Sequence, residues 1–150
     1  MTGNLNDLLE YLKTHSEVHR LNPDEVHGDC LREIAENPVL IGIRNPRHVF
    51  KDVALDENKC SESGITDLVV IDGFSCLHLA EVSVIRSPTV RTYRVRHDLN
   101  QQLMRASEYF REHFGILGRR IGAYRNFGQS GITYYELKKT VEELDWLAKR

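Results

Sequence analysis

The chain reads as an α/β domain, a mixed central sheet of about four strands flanked by helices, and three observations predict that class. Apolar residues recur at helical spacing over the first 36 residues. Between His48 and Ile85 the pattern changes to alternation and continuous apolar runs, and helical spacing returns from about Leu99. Two helices, three strands, a helix, a strand and a last helix can bury their apolar faces together only as a sheet covered by helices.

Each element has its own signal. Leu5, Leu8, Leu9 and Leu12 make an amphipathic helix over 4–14. Asn22 as N-cap, Pro23 at the first helical position and Glu25 three past the cap start a second helix. Asn37-Pro38 ends it near Glu36, because a residue before proline is pushed out of the α region. His48 to Leu55, Thr66 to Ile71 and Leu77 to Ile85 read as strands, with Asp72-Gly73 as turn chemistry between the last two. A helix from about Leu99 to Phe114 carries Leu103, Ala106, Tyr109 and Phe110 at 3–4 spacing, with Gly115 just past its end. Arg120 to Arg125 reads as the fourth strand. Thr133 and Glu136 fit a capping box for a final helix over 133–149, with Leu137, Val141, Leu144 and Ala148 toward the core.

A length of 150 residues with 41% hydrophobic and 28% charged side chains fits one globular domain spanning 1–150 and excludes disordered, collagen-like and disulfide-miniprotein classes. A chain this long folds without a metal or disulfide staple, so a metal would serve function. No apolar run is long enough for a membrane span, and the first ten residues lack a signal-peptide pattern, so a cytoplasmic protein without membrane contact is expected. Three scattered cysteines fit neither a disulfide framework nor a zinc knuckle, and Cys30 and Cys76 read as core. No P-loop, nucleophile elbow or dinucleotide fingerprint is present.

The net charge of −2 hides an asymmetry. Residues 1–85 hold seven Lys/Arg against fifteen Asp/Glu, whereas residues 86–125 hold nine arginines against three acids. Arginine grips phosphate bidentately and stacks on bases, so Arg91, Arg94, Arg96, Arg105 and Arg125 are candidates for holding a polyanion. A solvated charged face explains the same composition equally well.

Two acids interrupt buried strands, where an unpaired carboxylate is costly. Asp67 heads Leu68-Val69-Val70-Ile71, and Glu81 stands within Leu77 to Val84. In a hairpin turning near Asp72-Gly73 the two meet at the far end, where two carboxylates repel unless a cation such as Mg²⁺ lies between them. The alternative is structural: Glu81 paired with Arg91 or Arg94, and Asp67 merely capping a strand.

At these residues the sequence resembles the PD-(D/E)XK nuclease superfamily, the restriction-endonuclease-like proteins. The resemblance lies in Ile65 to Asp72, then Leu79-Ala80-Glu81-Val82-Ser83, then a helix with Gln101-Gln102-Leu103 and Tyr109, while Leu31 to Gly42 resembles the first helix and bend of some members. It covers roughly 22–125 and implies an α-β-β-β-α-β core performing metal-dependent phosphodiester cleavage, often of DNA. Asp67 and Glu81 would then hold Mg²⁺ or Mn²⁺, Gln102 would steady the site with Tyr109 on the same side, and a homodimer would serve where two strands are cut. The helix after Pro23 would add a carboxylate, with Glu33 preferred over Glu25 and Asp29, and its His27 would be either a metal ligand or a core histidine. One departure stands out. Where the family's Glu-x-Lys places a lysine, this chain has Ser83, so either Lys51, Arg91 or Arg105 supplies the charge, or the protein is an inactive module that binds nucleic acid or a protein partner.

Overall fold

A computed structural model describes residues 5–56 and 64–150, so Asn4 and Cys60 lie outside the described residues. Its elements run α1 (Leu5–His15), α2 (Glu25–Glu36), a 3-10 turn (Pro38–Ile41), β1 (Pro46–Ala54), β2 (Ile65–Asp72), β3 (Leu77–Val84), α3 (Thr92–Phe114), β4 (Arg119–Arg125), β5 (Ile132–Leu137) and α4 (Val141–Ala148). The sheet order is β1-β2-β3-β4-β5. Only β3 and β4 run parallel; the other neighbours are antiparallel. A parallel pair needs a long crossover, and α3 supplies it. The expected α-β-β-β-α-β order is therefore present, formed by α2, β1, β2, β3, α3 and β4.

Both faces of the sheet are covered, which is why β2 reads as a continuous apolar run. Val69, Ile71 and Leu79 pack with Leu8 and Leu12 of α1 and with Ala106 and Phe110 of α3. Leu68, Val70, Ala80 and Val82 face the other way, onto Cys30 and Ile34 of α2. At the β2–β3 turn, Asp72 accepts bonds from the Phe74 and Cys76 amides and from His78 Nε2. Cys76 is exposed rather than core.

Several expected boundaries move. Asp24, not Asn22, caps α2, its carboxylate taking the Val26 and His27 amides. α3 begins at Thr92, so Arg94 and Arg96 belong to the helix instead of leading into it. Residues 132–137 form a fifth strand, so the sheet has five strands and not four, and the last helix is shorter than 133–149. The β-branched and aromatic residues Ile132, Thr133, Tyr134 and Tyr135 favour a pleated surface, and they pair with β4 from Arg125 to Gly122. The capping box exists one element later, with Thr140 and Glu143 bonding reciprocally.

α4 also presents a different face from the one expected. Val141 and Leu144 are exposed, and the residue it buries is Glu143. Both Glu143 oxygens meet the Arg120 guanidinium at 2.7 Å, and Arg120 also donates to the Lys138 carbonyl at 2.9 Å. Arg120 is fully buried, so it leaves the set of arginines that can meet a polyanion.

Gly122 allows a close approach beneath α3. A Cβ there would stand 2.3 Å from the Tyr135 ring, whose hydroxyl donates to Asn100 Oδ1 at 2.6 Å.

Candidate functional site

The β2–β3 ladder runs from Ile71–Leu77 to Leu68–Ala80. One residue further, the Val82 amide is taken by Asp67 Oδ2 at 2.7 Å. A side chain thus replaces the strand ladder, and the two acidic positions meet there.

Asp67 is almost wholly buried and fully engaged. Its Oδ1 accepts from Arg20 Nη2 at 2.6 Å, and Oδ2 lies 3.3 Å from His27 Nε2. Burial pushes its carboxyl up, but His27, Arg20 and the Val82 amide outweigh burial and hold it below the ordinary range. His27 Nε2 also donates to the Val82 carbonyl, at 3.1 Å. The bond to Asp67 raises the His27 pKa against the opposing effect of burial.

Glu81 is completely buried. Thr66 Oγ1 donates to its Oε2 at 2.5 Å, while Oε1 has no hydrogen-bond partner among the described residues. Burial first, and then the negative charge of Asp67, push this carboxyl well above the ordinary value of 4.5. The Thr66 bond and the charge of Arg105 act the other way. The expected repulsion between the two carboxylates is met here by a shift of Glu81 toward its neutral form and by cationic partners on Asp67.

A pH dependence follows. The folded domain holds the Glu81 proton more tightly than the unfolded chain, which releases it above about 4.5, so stability falls as pH rises from there through the raised folded value. His27 acts in the same direction, because its stabilising share is complete below 6.5 and is lost as pH rises through its own raised value. Glu81→Gln keeps the shape and the acceptor for Thr66 while removing the titration. It should raise Tm at pH 8 by several degrees, at about 2–4 °C per kcal/mol in a domain of this size, and flatten the decline between pH 5 and pH 8. Thermal melts across that range check it.

The other expected site residues separate into two groups. Gln102 lines a cleft of about 260 Å³ with Arg20, Asn22, His27 and Asp67. Ser83 is half-buried on β3, two residues past Glu81. Of the basic candidates, Arg105 carries a charge that draws the Glu81 carboxyl down. Lys51 stands 3.9 Å from Glu17, and Arg91 is exposed at the N-cap of α3. Glu33 stands apart from these residues: it is exposed and pairs with Arg125 at 2.8 Å, because its flank of α2 faces the end of β4. Arg125 is engaged by the same bond. Tyr109 is also displaced from the site, its hydroxyl donating to Tyr11 of α1 at 3.0 Å. His27 is only partly buried, and its ring faces Asp67 and the Val82 carbonyl.

Sequence reasoning missed three members of the site. Thr66 has no sequence signal beyond opening a strand. Arg20 comes from the irregular segment before α2 and bridges Asp67 to Asp52, whose Oδ1 lies 2.7 Å from the same Nη2. Asp52 lies between Lys51 and Val53, which pair with Leu68 and Thr66, so it stands beside Asp67 in the ladder, and its φ of 51° is left-handed.

The donor set fits a hard divalent cation. Mg²⁺ is commonly bound by one or two carboxylates, with water completing its shell. Asp67 and Glu81 are the two carboxylates at hand, and Oε1 of Glu81 has no hydrogen-bond partner among the described residues. Among the described residues no group of three or more His, Cys, Asp and Glu side chains has metal-binding geometry, so protein ligands would be few.

No helix among the described residues is long and apolar enough to cross a membrane. No protein-family model matches this chain, and no curated protein matches it by sequence. Among solved structures it is similar to a repair endonuclease from Pyrococcus abyssi, with 17% identity, a TM-score of 0.46, and coverage of 75% of this chain and 42% of that one. The chain thus spans less than half the length of that protein.

Proposed function

We propose that this chain is a metal-dependent nuclease acting on DNA phosphodiester bonds, with its centre where β2 and β3 part. The observation that carries the reading is the Asp67–Glu81 pair, two buried carboxylates in adjacent strands, one of them holding an oxygen with no partner. Asp67 and Glu81 would hold Mg²⁺ or Mn²⁺, which when bound supplies Lewis-acid stabilisation of the phosphoryl oxygens and a more acidic water. Gln102 offers an amide from the cleft wall, and the charge of Arg105 favours the ionised form of Glu81.

DNA would be held by the arginines of α3. Arg91 is exposed at its N-cap and Arg94 in its first turn, Arg105 is exposed three turns on, and Arg96 lies 4.0 Å above the Tyr135 ring. Phosphate contacts of this kind make affinity fall steeply with salt. Arg125 contributes less, because Glu33 neutralises it.

A second reading is a nuclease-like module that binds nucleic acid without cutting it. Ser83, which cannot supply a cation, and Arg20, which fills the Asp67 carboxylate, favour it. Incubation of labelled single-stranded, duplex and branched DNA with Mg²⁺, with Mn²⁺ or with a chelator separates the two. Products that require metal support the nuclease; salt-sensitive binding without products in any metal supports the module and overturns the nuclease.

A further inference from the structure

Arg20 lies outside the α-β-β-β-α-β core, yet it makes the shortest polar contact to Asp67, one of the two buried carboxylates of the site. Its Nη2 is 2.6 Å from Asp67 Oδ1 and 2.7 Å from Asp52 Oδ1, and its Nε reaches the same Asp52 oxygen at 2.8 Å. One nitrogen therefore stands between two carboxylates, as a bound cation would. The guanidinium is held there by its backbone as well. The Glu17 and Val18 amides donate to the Lys51 and Asp52 carbonyls on the open edge of β1, and Asp24 caps α2 four residues beyond Arg20. The side chain is 29% exposed, so it has an exit toward solvent.

We propose that Arg20 is an internal counter-ion that competes with a divalent cation for Asp67, so that the site loads metal only as the guanidinium leaves. This inference rests on the metal-site reading above. Its physical basis is exclusion: Asp67 Oδ1 cannot accept the guanidinium and ligate a metal in the same place, and a carboxylate already neutralised attracts a second cation weakly. Ser16 to Asn22 forms neither helix nor strand, so Arg20 can withdraw without dismantling an element of the fold. A phosphodiester entering the cleft would offer the released guanidinium a new acceptor.

The test is a Mn²⁺ titration read by the electron paramagnetic resonance of free Mn²⁺, on wild type, Arg20→Gln, Asp52→Asn, Asp67→Asn and the double variant Arg20→Gln/Asp67→Asn, with circular dichroism melts to confirm folding. Arg20→Gln should tighten Mn²⁺ binding at least about tenfold, the worth of one charge-assisted hydrogen bond. Asp52→Asn removes the second anchor of the guanidinium, and asparagine tolerates the left-handed backbone at this position. It should shift affinity in the same direction even if Arg20→Gln fails to fold. In the double variant the gain should vanish.

Binding that depends on Asp67 but is unchanged or weakened by Arg20→Gln and Asp52→Asn would overturn the counter-ion role and leave the metal site standing. Absence of saturable binding in every folded variant would overturn the metal site and the counter-ion role with it.

Discussion

Arg120→Ala should cost about 3–5 kcal/mol of folding stability, because it leaves a buried carboxylate without its partner. Both guanidinium–carboxylate bonds to Glu143 would be lost, and the Lys138 carbonyl would lose its donor. α4 has little else to hold it, since Val141 and Leu144 face solvent and Glu143 is its buried residue. The pairing of Arg120 with β5 in the register Arg120–Leu137 places the same loss at the edge of the sheet. Urea melts of the single variant check the magnitude. Replacing both partners, Arg120→Met with Glu143→Leu, should recover most of the stability, because the charge and its partner leave together. A loss below about 1 kcal/mol in Arg120→Ala would mean that α4 swings into solvent and the pair contributes like an exposed one.

Asp67→Ala should be the second most damaging change, also by about 3–5 kcal/mol, for a related reason. It strips Arg20 and His27 of their acceptor and leaves the Val82 amide without a bond at the point where the strand ladder has already ended. Loss of activity in this variant would therefore mix chemistry with folding. Asp67→Asn keeps an oxygen for the Val82 amide and relieves the repulsion with Glu81, and it should melt much closer to wild type. Comparing the two by urea denaturation tests whether Asp67 is held as the hydrogen bonds indicate: equal, small losses in both would contradict that arrangement.

The parts of this molecule that were legible in the sequence are those where burial conflicts with charge. Asp67 and Glu81 could be found because each interrupts a run that must lie inside, and a carboxylate there needs a counter-charge or a proton. The hairpin that brings them together was readable from Asp72-Gly73. Arg20 was not readable, because it stands in an irregular segment with no periodicity and meets Asp67 from 47 residues away. Asp52 was hidden by a backbone excursion inside a strand whose letters read as regular. The fifth strand was obscured by a coincidence of spacing. Thr133 and Glu136 stand three apart, as do Thr140 and Glu143, and only the pairing of residues 132–137 with β4 decides which pair caps a helix.

The arginine-rich stretch shows the limit of composition as a guide to partners. Its nine arginines differ in what they can still offer. Arg120 is buried on Glu143, Arg86 is paired with Asp24, Arg119 with Glu136 and Arg125 with Glu33. Arg91, Arg94 and Arg105 stay exposed. Net charge over a segment counts all of these alike, whereas a phosphate meets only those whose charge is not already neutralised.

In the proposed function, Asp67 and Glu81 form a centre that cuts nucleic acid with a divalent metal. Running wild type beside Asp67→Asn with Mn²⁺ on labelled DNA, while following binding of the same DNA, tests it most directly. Wild type should cut, Asp67→Asn should not, and both should bind with the same salt dependence. Equal cutting by the two proteins, or none by either while binding persists, would contradict it.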